Sequence, residues 1–181
     1  MKLKTFTQYI TENSDSTYSK GCAMLYYDFP ELSNIQSQIQ EDDIYTEEGD
    51  KTFGLEDEPH VTLLYGLDKT VTPQEIKERL NKFSFTEATV HNASLFENDY
   101  DVLKFDVKSE NLHACNAELC KLPYESDYPD YHPHLTIGYL KRGSGKKYVK
   151  QFKDKEYKLK PSYAVYSESD GNKTKIKINL K

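Results

Sequence analysis

Tryptophan is missing from the 181 residues, cysteine appears only three times, and no apolar run approaches the ~20 residues that a membrane-spanning helix needs. The N-terminus carries no apolar segment followed by a small-residue cleavage site, which argues against secretion. Cys22, Cys115 and Cys120 are an odd number without framework spacing, so a disulfide scaffold is not expected and a reducing cytosol fits. His113, Cys115 and Cys120 are metal-ligand types, but on a helix residues 113 and 115 point apart and no fourth ligand is near, so core packing is the better reading and no metal or other cofactor is expected.

What is present is polar and aromatic. Fifteen tyrosines and 36% hydrophobic residues are too many for a disordered chain, and the length suits one domain or two fused lobes sharing a core. The net charge of −6 is unevenly spread: residues 41–58 hold nine acids against Lys51, whereas residues 141–160 hold nine bases against Asp154 and Glu156. A globally acidic chain repels long nucleic acid, whose non-specific binding is mostly phosphate neutralisation. A small anionic ligand steered by a local basic patch is the expectation, with no membrane partner and a monomeric protein.

Residues 1–12 are amphipathic at helical spacing through Leu3, Phe6, Tyr9 and Ile10, and a polar run to Lys20 follows. Residues 1–20 therefore read as a detachable segment ahead of a domain over 21–181. Within that domain the periodicities predict a strand over Cys22 to Tyr27 and a short helix from Pro30 carrying Leu32, Ile35 and Ile39, then an acidic loop over 41–58. Thr72-Pro73-Gln74-Glu75 has the N-cap, the proline and the acidic first turn of a helix that ends near Phe83. A hairpin over Phe85 to Phe96 and Tyr100 to Val107 follows, then a helix over Glu110 to Leu122 and a Tyr- and Pro-rich loop to Pro133. After a basic loop or short helix from Gly143, strands are expected at Tyr163 to Ser167 and Lys173 to Leu180.

Two pentads stand out from this background, Pro59-His60-Val61-Thr62-Leu63 and Pro133-His134-Leu135-Thr136-Ile137, each running on to a glycine. A strand repeats every two residues, so each pentad presents an imidazole and a hydroxyl on one face while the apolar residue between them points to the core. Two His-x-Thr matches among five histidines have chance odds of roughly one in twenty, and the prolines lower that by roughly two to three further orders of magnitude.

In these four positions, His60, Thr62, His134 and Thr136, the chain resembles the 2H phosphoesterases, the ligase-T-like phosphodiesterases marked by two His-x-Thr/Ser motifs. The resemblance spans Gly21 to Leu180 and implies an α+β, bilobal, pseudo-symmetric fold, with two antiparallel sheets facing a central cleft and helices outside. It also implies metal-independent phosphodiester cleavage. One neutral imidazole deprotonates the attacking oxygen, the other protonates the departing one, and the threonines hold the non-bridging oxygens. Which histidine does which is left open by the residues.

The N-terminal segment resembles the capsid-targeting leader of tailed-phage proteins, cut after an Ile/Leu-x-Glu triplet that Ile10-Thr11-Glu12 fits; a frayed terminal helix is the alternative. With it, the resemblance extends to phage anti-CBASS enzymes, which destroy cyclic di- or trinucleotide signals in the host cytoplasm, and packaging in the virion is open. Lys20, Lys141 and Arg142 are candidates for other phosphates, or else solvated surface charge. Tyr131, Tyr139 and Tyr65 are candidates to stack on a base, or else core and rim residues. Tyr18 and Lys20 could close over the ligand and Glu168 could meet a base edge, while His132 reads as a loop residue and His91 and His113 as structural or exposed. The alternatives are an RNA 2′,3′-cyclic phosphodiesterase or 2′-5′ RNA ligase-like enzyme, a nucleotide-binding sponge without turnover, and a virion protein with a relic site.

Overall fold

The computed structural model describes residues 20–50, 52–128 and 130–181. Tyr18 and the leader, with its cut after Glu12, lie outside the described residues. The chain runs β1 (Gly21–Asp28), α1 (Leu32–Gln36), β2 (His60–Leu67), α2 (Pro73–Leu80), β3 (Ser84–Phe85), β4 (Ala88–Glu97), β5 (Tyr100–Lys108), α3 (Leu112–Leu119), β6 (His134–Lys141), α4 (Gly145–Phe152), β7 (Tyr157–Ser167), β8 (Lys173–Ile176) and β9 (Asn179–Leu180). The class is α+β. No helix among the described residues is long and apolar enough to cross a membrane.

Seven strands form one sheet in the order β2-β1-β7-β4-β5-β6, with β8 beside β7 and every pairing antiparallel. The order is palindromic because one unit occurs twice: β1-α1-β2-α2-β4 and β5-α3-β6-α4-β7. The last strand of each unit crosses to pair with the first strand of the other, β7 with β1 and β4 with β5. The crossing strands meet each other from Ala88↔Leu159 to Val90↔Tyr157. The two antiparallel sheets anticipated from the resemblance are thus halves of one sheet, continuous through β7.

Local chemistry explains most of the element ends. Thr72 and Glu75 form the expected capping box, Glu75 N–H donating to Thr72 Oγ1 at 3.3 Å and Thr72 N–H to Glu75 Oε2 at 2.9 Å. β7 differs from expectation: it begins at Tyr157 rather than Tyr163. Pro161 argues against an internal strand, since it has no N–H for the ladder, but it sits where the register with β1 shifts between Tyr26 and Tyr27, so no ladder bond is demanded of it. The final segment, expected as one strand, divides into β8 and β9, and β9 pairs in parallel with β3.

The core face of the sheet is apolar on every strand, with Leu25, Val61, Leu63, Val90, Phe105, Leu135, Ile137 and Leu159 fully buried. That leaves β2 and β6, the ends of the sheet order, with open edges. Open backbone edges need partners, and each finds one in the loop that leads to the other histidine. Residues before β2 cover β6: Tyr139 N–H donates to Gly54 O (2.8 Å), Tyr45 N–H to Tyr139 O (2.9 Å) and Glu56 N–H to Ile137 O (3.0 Å). Residues before β6 cover β2: Glu125 N–H donates to Gly66 O (2.9 Å) and Asp68 N–H to Pro123 O (3.0 Å). Side-chain amides repeat the exchange, Gln36 Nε2 of α1 donating to Ile137 O (3.1 Å) and Asn116 Nδ2 of α3 to Leu63 O (2.7 Å). These exchanges hold the two histidine strands together, and β2 and β6 approach within 8 Å between Cα atoms.

Close loop packing explains the glycine after each pentad. A Cβ on Gly66, whose φ is +97°, would fall 1.8 Å from Glu125 O, and one on Gly138 would fall 2.8 Å from Leu55 Cδ2. Gly143 has a similar φ of +84° but nothing within 4 Å. Gly143→Ala should therefore lose only the left-handed backbone penalty, about 1–2 kcal/mol, whereas Gly66→Ala should lose that plus the displacement of the 123–125 loop. Thermal or urea unfolding of both variants checks this, and equal losses would show that the loop does not press on β2.

Candidate active site

His60 and His134 each stand first on their strand, after a proline whose carbonyl is taken by the neighbouring strand: Tyr27 N–H donates to Pro59 O (3.0 Å) and Val107 N–H to Pro133 O (2.9 Å). Each ring is then fixed by the same bond. His60 Nδ1 meets Glu58 O at 2.8 Å and His134 Nδ1 meets His132 O at 2.8 Å. A carbonyl only accepts, so both Nδ1 atoms carry hydrogen and both Nε2 atoms are left for a ligand. Val61, Leu63, Leu135 and Ile137 are fully buried while the histidines and threonines keep partial exposure, the alternation expected of both pentads.

The two rings share a site but not an environment. His60 lies on Tyr26 (centroids 5.2 Å apart, 27°), Tyr26 on Tyr163 (5.0 Å, 13°), and Lys175 Nζ sits 3.7 Å from the Tyr163 centroid. The stack crosses β2, β1, β7 and β8 in order, so both faces of each tyrosine are occupied. Burial and the charges of Glu58 and Glu56 push the Tyr26 phenol above its ordinary value. Burial also pushes the Cys22 thiol up to about 12, against a hydrogen bond from Thr62, so it stays protonated.

His134 meets the edge of Phe96 (5.0 Å, 87°), and its cross-strand neighbours are polar: Asp106 pairs with His134, and Lys104 with Thr136. Lys104 Nζ donates to Ser94 Oγ (2.8 Å) and Asp106 Oδ1 (3.0 Å) and lies 4.6 Å from the Phe96 centroid. Asn92, at a β4 bulge with φ +53°, donates to the other Asp106 oxygen. Burial works to raise the Asp106 carboxyl, but the bonds from Asn92 and Lys104 more than offset it and leave it below its usual range. Burial brings the His134 pKa down to about 4, with Lys104 and His60 acting in the same direction and the bond to His132 O and Asp106 opposing.

The remaining candidates from the sequence are scattered. Lys141 at the far end of β6 and Arg142 just past it are exposed, roughly 23–26 Å along the chain from His134 at about 3.3 Å per residue. Lys20 pairs with Glu125 and so pins the loop at the other end of β2. The basic segment partly neutralises acids, Lys147 reaching Asp43 (2.6 Å) and Lys146 reaching Glu97 (3.1 Å). Tyr139 packs edge-on with Phe53 (5.5 Å), and Tyr65 borders the cluster of Cys22, Met24, Tyr26 and Val165. Tyr131 packs against the core, its hydroxyl buried without a partner among the described residues and its ring edge-on to His113 (5.3 Å). Glu168 lies past β7 in the turn that Glu168 N–H closes on Asn172 O (2.8 Å). Cys115 is fully buried, and among the described residues no group of three or more His, Cys, Asp or Glu could hold a metal ion.

Tyr26, Lys104, Asp106, Phe96 and Asn92 were not foreseen as site residues. The alternation of β5 places Lys104 and Asp106 on one face, but that this face meets a histidine depends on which strand pairs with β5.

A palindromic sheet whose two end strands bring His-x-Thr pairs together is the layout of a two-histidine phosphoesterase. The chain belongs to the 2′-5′ RNA ligase superfamily, whose family model matches residues 30–161. Among solved structures it is similar to Kluyveromyces marxianus Usb1 (TM-score 0.56, 9% identity, 88% of this chain and 98% of that one). It is similar also to the same protein with uridine monophosphate (TM-score 0.57, 10% identity, 89% and 99%). No curated protein sequence matches the chain significantly.

The lowered His134 pKa has a consequence for stability. An unfolded histidine binds a proton near pH 6.5 and His134 in the fold only near 4, so the unfolded state holds more protons between those values. Its neutral ring is accommodated without penalty above pH 6.5, and stability is lost as pH falls from about 6.5 to 4. Urea unfolding across that range should show this slope, and His134→Asn should flatten it; an unchanged slope would mean that His134 titrates normally.

Proposed function

We propose that this chain is a phosphodiesterase that cleaves a small nucleotide between His60 and His134 by acid–base catalysis, with no metal ion required. The observation that supports this is the matched fixing of both rings through Nδ1, which leaves both Nε2 atoms for a ligand on two strands that approach within 8 Å between Cα atoms. One Nε2 takes the proton of the attacking 2′-hydroxyl or water, and the other returns a proton to the departing ribose oxygen, which is too basic to leave as an alkoxide. Thr62 and Thr136, two residues on from each histidine and on the same strand face, hold the non-bridging oxygens as charge builds.

We take the substrates to be cyclic di- or trinucleotide defence signals, met in the cytoplasm of a phage-infected host. A compact anionic ligand suits a site in which Lys104 stands opposite Thr136 while the chain as a whole is acidic. The second reading, cleavage at RNA ends, is favoured by the superfamily and by the uridine monophosphate complex of the structural neighbour.

Incubation with 3′,3′-cyclic dinucleotides, cyclic trinucleotides and oligoribonucleotides ending in a 2′,3′-cyclic phosphate, in EDTA and read by mass analysis, separates these readings. Binding without turnover of any would make the chain a sponge. His60→Ala and His134→Ala should each fold and lose ~10²-fold or more in rate; full activity in either would remove the acid–base assignment.

A further inference from the structure

The repeat that builds the cleft is broken at two positions per half. Opposite Thr62 and His60 stand Met24 and Tyr26; opposite Thr136 and His134, in the same register, stand Lys104 and Asp106. Lys104 is only 7% exposed, and charged side chains are kept at such depth when they are matched. Asp106 and Ser94 take two of its three N–H donors, and among the described residues no oxygen or nitrogen acceptor takes the third. The ammonium also lies over Phe96, the ring in T-shaped contact with His134, so a buried cation sits beside one histidine where the other half has Met24 at the matching position.

We infer that Lys104 binds a substrate phosphate on the His134 side and thereby gives the cleft a direction, His134 taking the proton from the attacking oxygen and His60 giving one to the departing oxygen. This rests on the phosphodiesterase reading above. In the step, the nucleophile's O–H proton passes to His134 Nε2 as its oxygen bonds phosphorus. The bond from phosphorus to the leaving oxygen breaks with its electron pair, and that oxygen takes the Nε2 proton of His60; solvent exchange then resets both rings.

The surroundings of His134 agree with its role as base. The groups acting on His134 are Lys104 and Asp106 from β5 and His60 from β2, with His91 of β4 acting on Asp106; burial and Lys104 hold His134 neutral, as a base must be. The negative phosphate, once bound, offsets Lys104 and raises the proton affinity of His134 just when it has to accept a proton. His60 instead rests on the Tyr26 ring, with no charged residue opposite it in the strand register.

Two substitutions test this in opposite directions. Lys104→Met installs the residue found in the other half and leaves Asp106 unopposed, so the His134 ring should titrate about one unit higher; Asp106→Asn should move it about one unit lower. NMR titration of the ligand-free proteins reads both, and the acid limb of kcat/KM should follow on whichever nucleotide the panel shows to be turned over. Lys104→Met should also bind uridine monophosphate about tenfold more weakly and lose about 10²-fold in kcat/KM, with Lys104→Arg retaining part of both. If Lys104→Met does not fold, Asp106→Asn and Lys104→Arg carry the same readouts. Unchanged His134 titration and unchanged uridine monophosphate binding in these variants would overturn the role of Lys104 while leaving the phosphodiesterase reading intact. Full activity of the His60→Ala and His134→Ala proteins would instead remove that reading, whatever Lys104 does.

Discussion

An open strand edge has unpaired N–H and C=O groups that must find partners, and the two strands at the ends of the sheet order are the two that carry the histidines. Each is covered by the loop that leads to the other, through Gly54 and Glu56 on β6 and through Glu125 and Pro123 on β2. Neither half of the site can therefore be placed without the other. Gly66 and Gly138 are the positions at which this mutual covering presses closest, and there a side chain would displace the covering loop.

Once the strands are joined, the proposed chemistry depends on two bonds from histidine Nδ1 to a carbonyl two residues earlier. Those carbonyls belong to backbone that the pentad prolines help to direct: each proline has no N–H to give, while its own C=O is taken by the adjacent strand. The result is a pair of rings with the same tautomer, as the proposed acid–base pair would need. Symmetry ends there. Aromatic faces back His60, whereas ion-paired polar groups back His134, and a near-symmetric scaffold becomes a site with two unlike walls.

Much of this was legible in the residues. The pentads, the capping box at Thr72, the acidic loop ahead of the first histidine and the Tyr- and Pro-rich loop ahead of the second are local signals, and local signals survive without knowledge of the fold. Nearness in sequence to a pentad singles out Lys141, Arg142 and Tyr139, but nearness along a strand is not nearness in space. Lys141 follows the second pentad directly, yet a strand advances about 3.3 Å per residue and carries it to the far end of the sheet. The basic segment was set apart by composition, but part of its charge is spent on Asp43 and Glu97.

By itself the sequence determined the four His-x-Thr side chains and the face on which each pair lies, because strand periodicity is a property of consecutive residues. It determined the α+β class and most helix and strand positions for the same reason. Only the tertiary structure decided that β1 backs one histidine with Tyr26 and β5 backs the other with Asp106 and Lys104. Cross-strand register joins residues far apart in the chain, and no local pattern encodes which of them will stand opposite each other.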